Sequence, residues 1–143
     1  MNLDERIHHF VNLRNEKKDT INAMLEMQLV ELKKDSQTLV VQFPLQSWEM
    51  NPVNHTHGGI LSAMLDVAMG GAAYVFSQAV FTPTIQLAVN FVKGSTAGDV
   101  LRIEATCDHA GSRMAMTRAV AYDQEGNVIA SANGAYAINT KSV

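Results

Sequence analysis

The chain has 143 residues, 47% of them hydrophobic, a formal net charge of −3 and one cysteine. A length of this order buries a core without metals or crosslinks, and the acidic balance argues against nucleic acid or an anionic membrane surface as the main partner. A lone cysteine excludes an intrachain disulfide, and Cys107 reads as a small buried hydrophobe.

In chain order, the first stretch, MNLDERIHHFVNLRNEKK, opens with charges and lacks the apolar core of a signal peptide. Leu3, Ile7, Phe10, Val11 and Arg14 recur at helical spacing, with Asp4 and Glu5 where a helix dipole favours acids, which predicts an amphipathic helix over residues 3 to 16. Residues 24 to 33 and 37 to 43 are rich in Val, Leu and Met around Lys33-Lys34-Asp35-Ser36 and predict a β-hairpin closed by Pro44. Trp48, Asn51, Pro52 and Asn54 mark a loop over 45 to 56. The run NHTHGGILSAMLDVAMGGAAYVF, residues 54 to 76, then reads as one long apolar helix.

Beyond it, Ile85, Leu87, Val89 and Phe91 alternate with Thr84, Gln86, Ala88 and Asn90. Leu101, Ile103, Ala105 and Cys107 alternate with Arg102, Glu104, Thr106 and Asp108. Both patterns have a strand's period of two, and Gly94 to Asp99 turns between them. Residues 113 to 122 and 127 to 138 predict two further strands joined at Asp123-Gln124-Glu125-Gly126. The expected fold class is α+β: an antiparallel sheet wrapped round or packed on one long helix, in a single domain over residues 1–143 with 1–20 as an N-terminal helical extension. No stretch reaches the roughly 18 uninterrupted apolar residues of a membrane span. A cytoplasmic protein without membrane or nucleic-acid partners is the expectation.

The long helix carries one carboxylate, Asp66, amid apolar neighbours. Gly59, Ala63, Gly70 and Ala73 share its side at spacings of three and four, while Leu61, Leu65, Ala68, Ala72 and Phe76 form a more apolar side assigned to the sheet. A stripe of small residues admits a second backbone, and a carboxylate buried without partners is costly. At the other end, Gly58 and Gly59 stand where the helix begins, and unpaired first-turn amides suit a developing negative charge. The simpler readings are a solvated surface aspartate and a tight entry into a buried helix. Gly58 and Asp66 are eight residues apart, or about 12 Å along one helix. A reacting carbonyl must lie roughly 3 Å from its oxyanion donor and about as close to its attacker. Two helices packed antiparallel satisfy both demands, so a twofold dimer with two shared sites is expected.

These residues also resemble a known family. Asn51 six before His57, a turn residue at Asn54, His57-Gly58-Gly59, and Asp66 nine after His57 are similar to the hotdog-fold acyl-CoA thioesterases of the phenylacetate-degradation type, within the 4-hydroxybenzoyl-CoA thioesterase superfamily. The resemblance covers about residues 24 to 138 and implies a hotdog fold. It implies Asp66 as nucleophile or general base, the Gly58 amide as donor to the thioester carbonyl, Asn51 as positioner of water or carbonyl, and Thr84 as a hydroxyl that helps hold the water. His57 matches the motif histidine and counts with the catalytic set, its part either chemical or structural. The resemblance further implies CoA within the substrate, no separate cofactor, an obligatory homodimer and a homotetramer built from two dimers. The family usually has glycine where this chain has Asn54, and asparagine is the residue next most at ease in left-handed backbone.

Gly59, Lys93, Gly94 and Arg113 are candidates for substrate or CoA contact, with Arg118 as a further basic residue. Trp48, Met50, Met69 and Tyr74 either line an acyl tunnel or pack the core. His55 and His57 form an H-x-H pair with no carboxylate or thiol at ligand spacing, so no metal is expected. An acyl-CoA-binding domain without catalysis and a hotdog hydratase or dehydratase are the competing readings.

Overall fold

The computed structural model describes residues 1–141. Its elements are α1 (Leu3–Glu16), α2 (Ile21–Met24), β1 (Gln28–Lys33), β2 (Thr38–Pro44), α3 (Gly58–Val75), β3 (Thr84–Phe91), β4 (Val100–Ala110), β5 (Met114–Tyr122) and β6 (Val128–Ala137), with a 3-10 turn at Ser47–Glu49. The strands form one six-stranded antiparallel sheet in the order β1-β2-β4-β5-β6-β3. This is the hotdog arrangement: α3 lies along the inner face of the sheet, chiefly against β4 and β5.

Alternation in the strands selects that inner face. Leu39, Val41 and Phe43 of β2 and Leu101, Ile103 and Ala105 of β4 are fully buried, while Arg102, Arg118 and their neighbours point outward. Toward β5 and β6 the inner face becomes small, with Ala115, Ala119, Ala121 and Ala130 all buried, which lets the helix approach closely. Cys107, 1% exposed, belongs to the same core.

The helix α1 begins with a reciprocal capping box. Asn2 Oδ1 accepts from the Glu5 amide at 2.8 Å, and the Asn2 amide donates to Glu5 Oε2 at 3.0 Å. It docks on the C-terminal half of α3 through Ile7 and Phe10, both 1% exposed. Arg6 donates to the carbonyls of Tyr74 (Nε, 3.2 Å) and Ala79 (Nη2, 2.7 Å), placing a cation at the negative end of α3.

Two expectations change here. The first strand of the hairpin begins at Gln28, because residues 21 to 24 instead form a helical turn capped by Thr20 and stopped by Glu26 in the left-handed region (φ 57°). The small-residue stripe is also shorter than expected. Gly70 lies beneath the Tyr136 ring and beside Thr82, and Ala73 is fully buried, so only Gly59, Ala63 and Asp66 of that stripe stay accessible. The helix is covered on three sides at its C-terminal end by the sheet, by α1 and by the segment before β3. By length and composition α3 could cross a membrane, yet most of it is buried inside its own chain.

Candidate active site

The site falls into two halves on one rigid helix. At the N-terminal end, Met50 and Thr56 pair across the loop and close it. Asn51 Oδ1 accepts from the amides of Val53 and His55, each at 3.0 Å, and the Asn51 amide donates to the His55 carbonyl at 2.7 Å. Asn54 occupies the left-handed region at φ 62°, which asparagine adopts more readily than most residues with a side chain. Thr56 is buried and held by Ser95, hydroxyl to hydroxyl at 2.8 Å. The His57 amide donates to the Glu49 carbonyl at 2.8 Å, and His57 Nδ1 accepts from the Gly59 amide at 3.0 Å, making the imidazole the cap of α3.

That cap consumes the Gly59 amide and leaves the Gly58 amide, at the first helical position, with no acceptor among the described residues. The amide opens on a cavity of about 320 Å³ lined by Asn51, His55, Gly58, Phe91, Lys93 and Gly94. Gly94 packs against the His55 ring: a Cβ on it would stand 2.8 Å from His55 Nδ1 and would displace that exposed side chain. Lys93 lies 3.8 Å from Asp123 at the rim.

The second half surrounds Asp66, which is half-buried. Its Oδ1 accepts from Thr84 Oγ1 at 2.8 Å and from the Tyr136 hydroxyl at 2.7 Å; the same hydroxyl lies 3.0 Å from the Asp66 carbonyl oxygen. Two hydroxyls thus fix one carboxylate oxygen and leave Oδ2 for chemistry. Tyr136 is 1% exposed, and burial together with the Asp66 charge pushes its phenol well above the ordinary range, so it donates at every working pH. A cavity of about 160 Å³ opens beside this cluster.

The structure therefore brings Asp66 and Thr84 together, and groups Asn51, Gly58, Lys93 and Gly94 separately. Arg113, on the exposed turn between β4 and β5, lines neither cavity, and Arg118 pairs with Asp108 at 3.1 Å on the outer face. Met69 and Tyr74 pack in the core at 0% and 5% exposure, while Trp48 stands exposed. Among the described residues no group of three or more His, Cys, Asp or Glu could hold a metal. Tyr136 is the residue that spacing alone missed. Its signal is compositional: it is the one large, polar-tipped side chain on an inward face otherwise made of Ala130, Ala132 and Gly134.

A fold of this kind, one long helix along the inner face of an antiparallel sheet, defines the hotdog class. The family described as "Thioesterase superfamily" matches residues 53–130, more than half of the chain, and the protein belongs to that family: it is a thioesterase. A Pseudomonas aeruginosa protein named "Putative esterase" is 33% identical over 100 residues, covering 68% of this chain and 73% of that one. The Escherichia coli PaaI protein from the phenylacetic acid degradation operon superposes with a TM-score of 0.81 at 20% identity, covering 96% of each chain. A Streptococcus mutans protein solved with acetyl CoA gives 0.73 at 20% identity, covering 82% of this chain and 91% of that one.

Proposed function

We propose that the enzyme hydrolyses an acyl-CoA thioester at sites shared between two copies of the chain, with Asp66 from one subunit and the Gly58 amide from the other. The observation that carries this reading is the separation of the two groups along α3. Asp66 has a free carboxylate oxygen and Gly58 a free amide, yet eight residues of continuous helix keep them about 12 Å apart. Gly59, Ala63 and Asp66 remain accessible for a second helix. The sheet edge supports the same assembly, because β3 is an edge strand whose Ile85, Phe91 and neighbouring Val92 are 54%, 58% and 62% exposed. A tetramer of two such dimers belongs to the proposal, and no metal or organic cofactor is needed for it. The Streptococcus mutans structure with acetyl CoA supports a CoA ester as substrate, with Lys93 at the cavity rim as the basic contact for CoA.

The step balances by either of two routes. As general base, Asp66 takes a proton from water, whose oxygen attacks the carbonyl carbon; the oxyanion faces the Gly58 amide, the C–S bond breaks, and the departing thiolate recovers the proton. As nucleophile, Asp66 attacks first and expels the thiolate, and water then cleaves the mixed anhydride. Thr84 and Tyr136 hold the carboxylate for both. A single turnover in oxygen-labelled water places label in Asp66 only by the second route.

The shared site is tested by complementation. Asp66→Asn removes the acid, and Gly58→Pro removes the amide hydrogen while suiting the first helical position, since His57 already has the extended backbone (ψ 131°) that precedes proline. Each variant alone should lose at least about 10²-fold in turnover. Unfolded together at equal amounts and refolded, they should regain about a quarter of wild-type activity, because half the dimers then hold one intact site. A mixture no more active than its components overturns the shared site.

A further inference from the structure

The Asp66 cavity has an end that thioester cleavage itself does not use. Helix α1 crosses over α3 and brings Phe10 and Arg14 into its wall, with Asn22 of α2 beside them. The Arg14 guanidinium lies over the Phe10 ring, Cζ 3.6 Å from the centroid. Its Nε is enclosed and has no acceptor, and it forms no ion pair among the described residues. Asp66 is not its counter-ion, since the hydroxyls of Thr84 and Tyr136 satisfy Oδ1. Val67, Phe81 and Pro83 give the wall an apolar part beside the polar Asn22, Thr82 and Thr84.

A guanidinium keeps its charge at every physiological pH, and its fork of donors matches a carboxylate. A guanidinium with no counter-ion among the described residues, in the wall of the cavity that Asp66 also lines, is placed to receive an anion. We infer that the acyl group ends in a carboxylate held by Arg14, so that the substrate class is a short ω-carboxyacyl thioester. This deepens the reading of Asp66 as the catalytic acid and rests on it. The charge of Arg14 also offsets the repulsion between the Asp66 carboxylate and a second carboxylate nearby. The cavity beside the acid is small, about 160 Å³, which favours a short tail. Two or three methylenes and a carboxylate make such a tail, as in succinyl and glutaryl thioesters.

The test compares kcat/KM for glutaryl-CoA with that for hexanoyl-CoA, a chain of similar length without the charge. The wild-type enzyme should favour glutaryl-CoA. In Arg14→Met, which keeps the length and the packing on Phe10, the glutaryl-to-hexanoyl ratio should fall on the order of 10- to 100-fold, the loss typical of a charge-assisted hydrogen-bonded pair. Arg14→Lys, which keeps the charge and loses the fork, should fall in between. A wild-type ratio at or below one, or a ratio that Arg14→Met leaves unchanged, overturns the inference while the thioesterase reading stands on hexanoyl turnover. A folded wild-type enzyme that releases thiol from no CoA ester overturns both.

Discussion

The hydroxyl of Tyr136 donates to Oδ1 of Asp66 at 2.7 Å from a strand 70 residues further along the chain. With Thr84 on the same oxygen, it turns a flexible side chain into one with a single orientation and one oxygen free. Tyr136→Phe keeps the ring over Gly70 and deletes only the donor. Turnover should fall on the order of 10-fold with KM little changed, because positioning acts on the reacting geometry. Thr84→Ala should behave alike, and the double variant should lose less than the product of the two, since both hydroxyls serve one oxygen. Steady-state kinetics on one acyl-CoA ester checks all three.

The same phenol predicts an alkaline limit to stability. Its folded pKa lies above the ordinary value of 10.0, so the protonated form is favoured by folding. The associated stability is complete below about pH 10 and is lost as pH rises further. Urea midpoints measured from pH 8 to 11 should therefore decline for the wild-type protein, and decline less for Tyr136→Phe.

Glu49 poses the acid counterpart. It is 0% exposed; Oε1 accepts from the Gln46 amide at 2.7 Å, while Oε2 is buried without a partner. Burial raises its pKa above the ordinary 4.5, outweighing the Gln46 hydrogen bond that lowers it. The fold thus prefers the neutral acid: this contribution is complete below about pH 4.5 and is lost as pH rises. Glu49→Gln preserves the bond to Gln46 and removes the buried charge, so it should raise the thermal midpoint by a few degrees at pH 8 and by less at pH 5. Thermal melts at the two values decide it.

Gly71 sits where α1 meets α3. A Cβ there would stand 2.9 Å from both Leu39 Cδ2 and Phe10 Cε1. Ala in place of Gly favours a helix interior by about 1 kcal/mol, whereas overpacking a core costs about 1–3 kcal/mol. Gly71→Ala should therefore destabilise the protein modestly, and displaced Phe10 should loosen α1. Hydrogen exchange should show reduced protection over residues 3 to 16 ahead of the sheet.

Asn54 holds the loop turn at φ 62°. Asn54→Gly should leave stability and turnover within about twofold, since glycine adopts that conformation freely. Asn54→Val should cost about 1–2 kcal/mol or more, because a branched Cβ meets the backbone there, and should lower turnover by moving the Gly58 amide. Denaturant curves and kcat together separate the two effects.

The sequence by itself determined every long element. The period of two over Thr84 to Phe91 marks the extent of β3, although its exposure does not alternate within the single chain, and the helical spacing of Leu3 to Arg14 and the apolar run from Gly58 return as α1 and α3. These signals are local, since a helix or strand buries a face whose spacing is written within ten or twenty residues. The separation of Gly58 from Asp66 was legible for the same reason. Only the tertiary structure decided the strand order β1-β2-β4-β5-β6-β3, the burial of Gly70 and Ala73, the meeting of Tyr136 with Asp66, and the arrival of Arg14 at the cavity wall. Those contacts join residues up to 70 positions apart, and no periodicity specifies which inward-facing side chain of one element meets which of another. That choice is made by packing, when the sheet and α1 close together on α3.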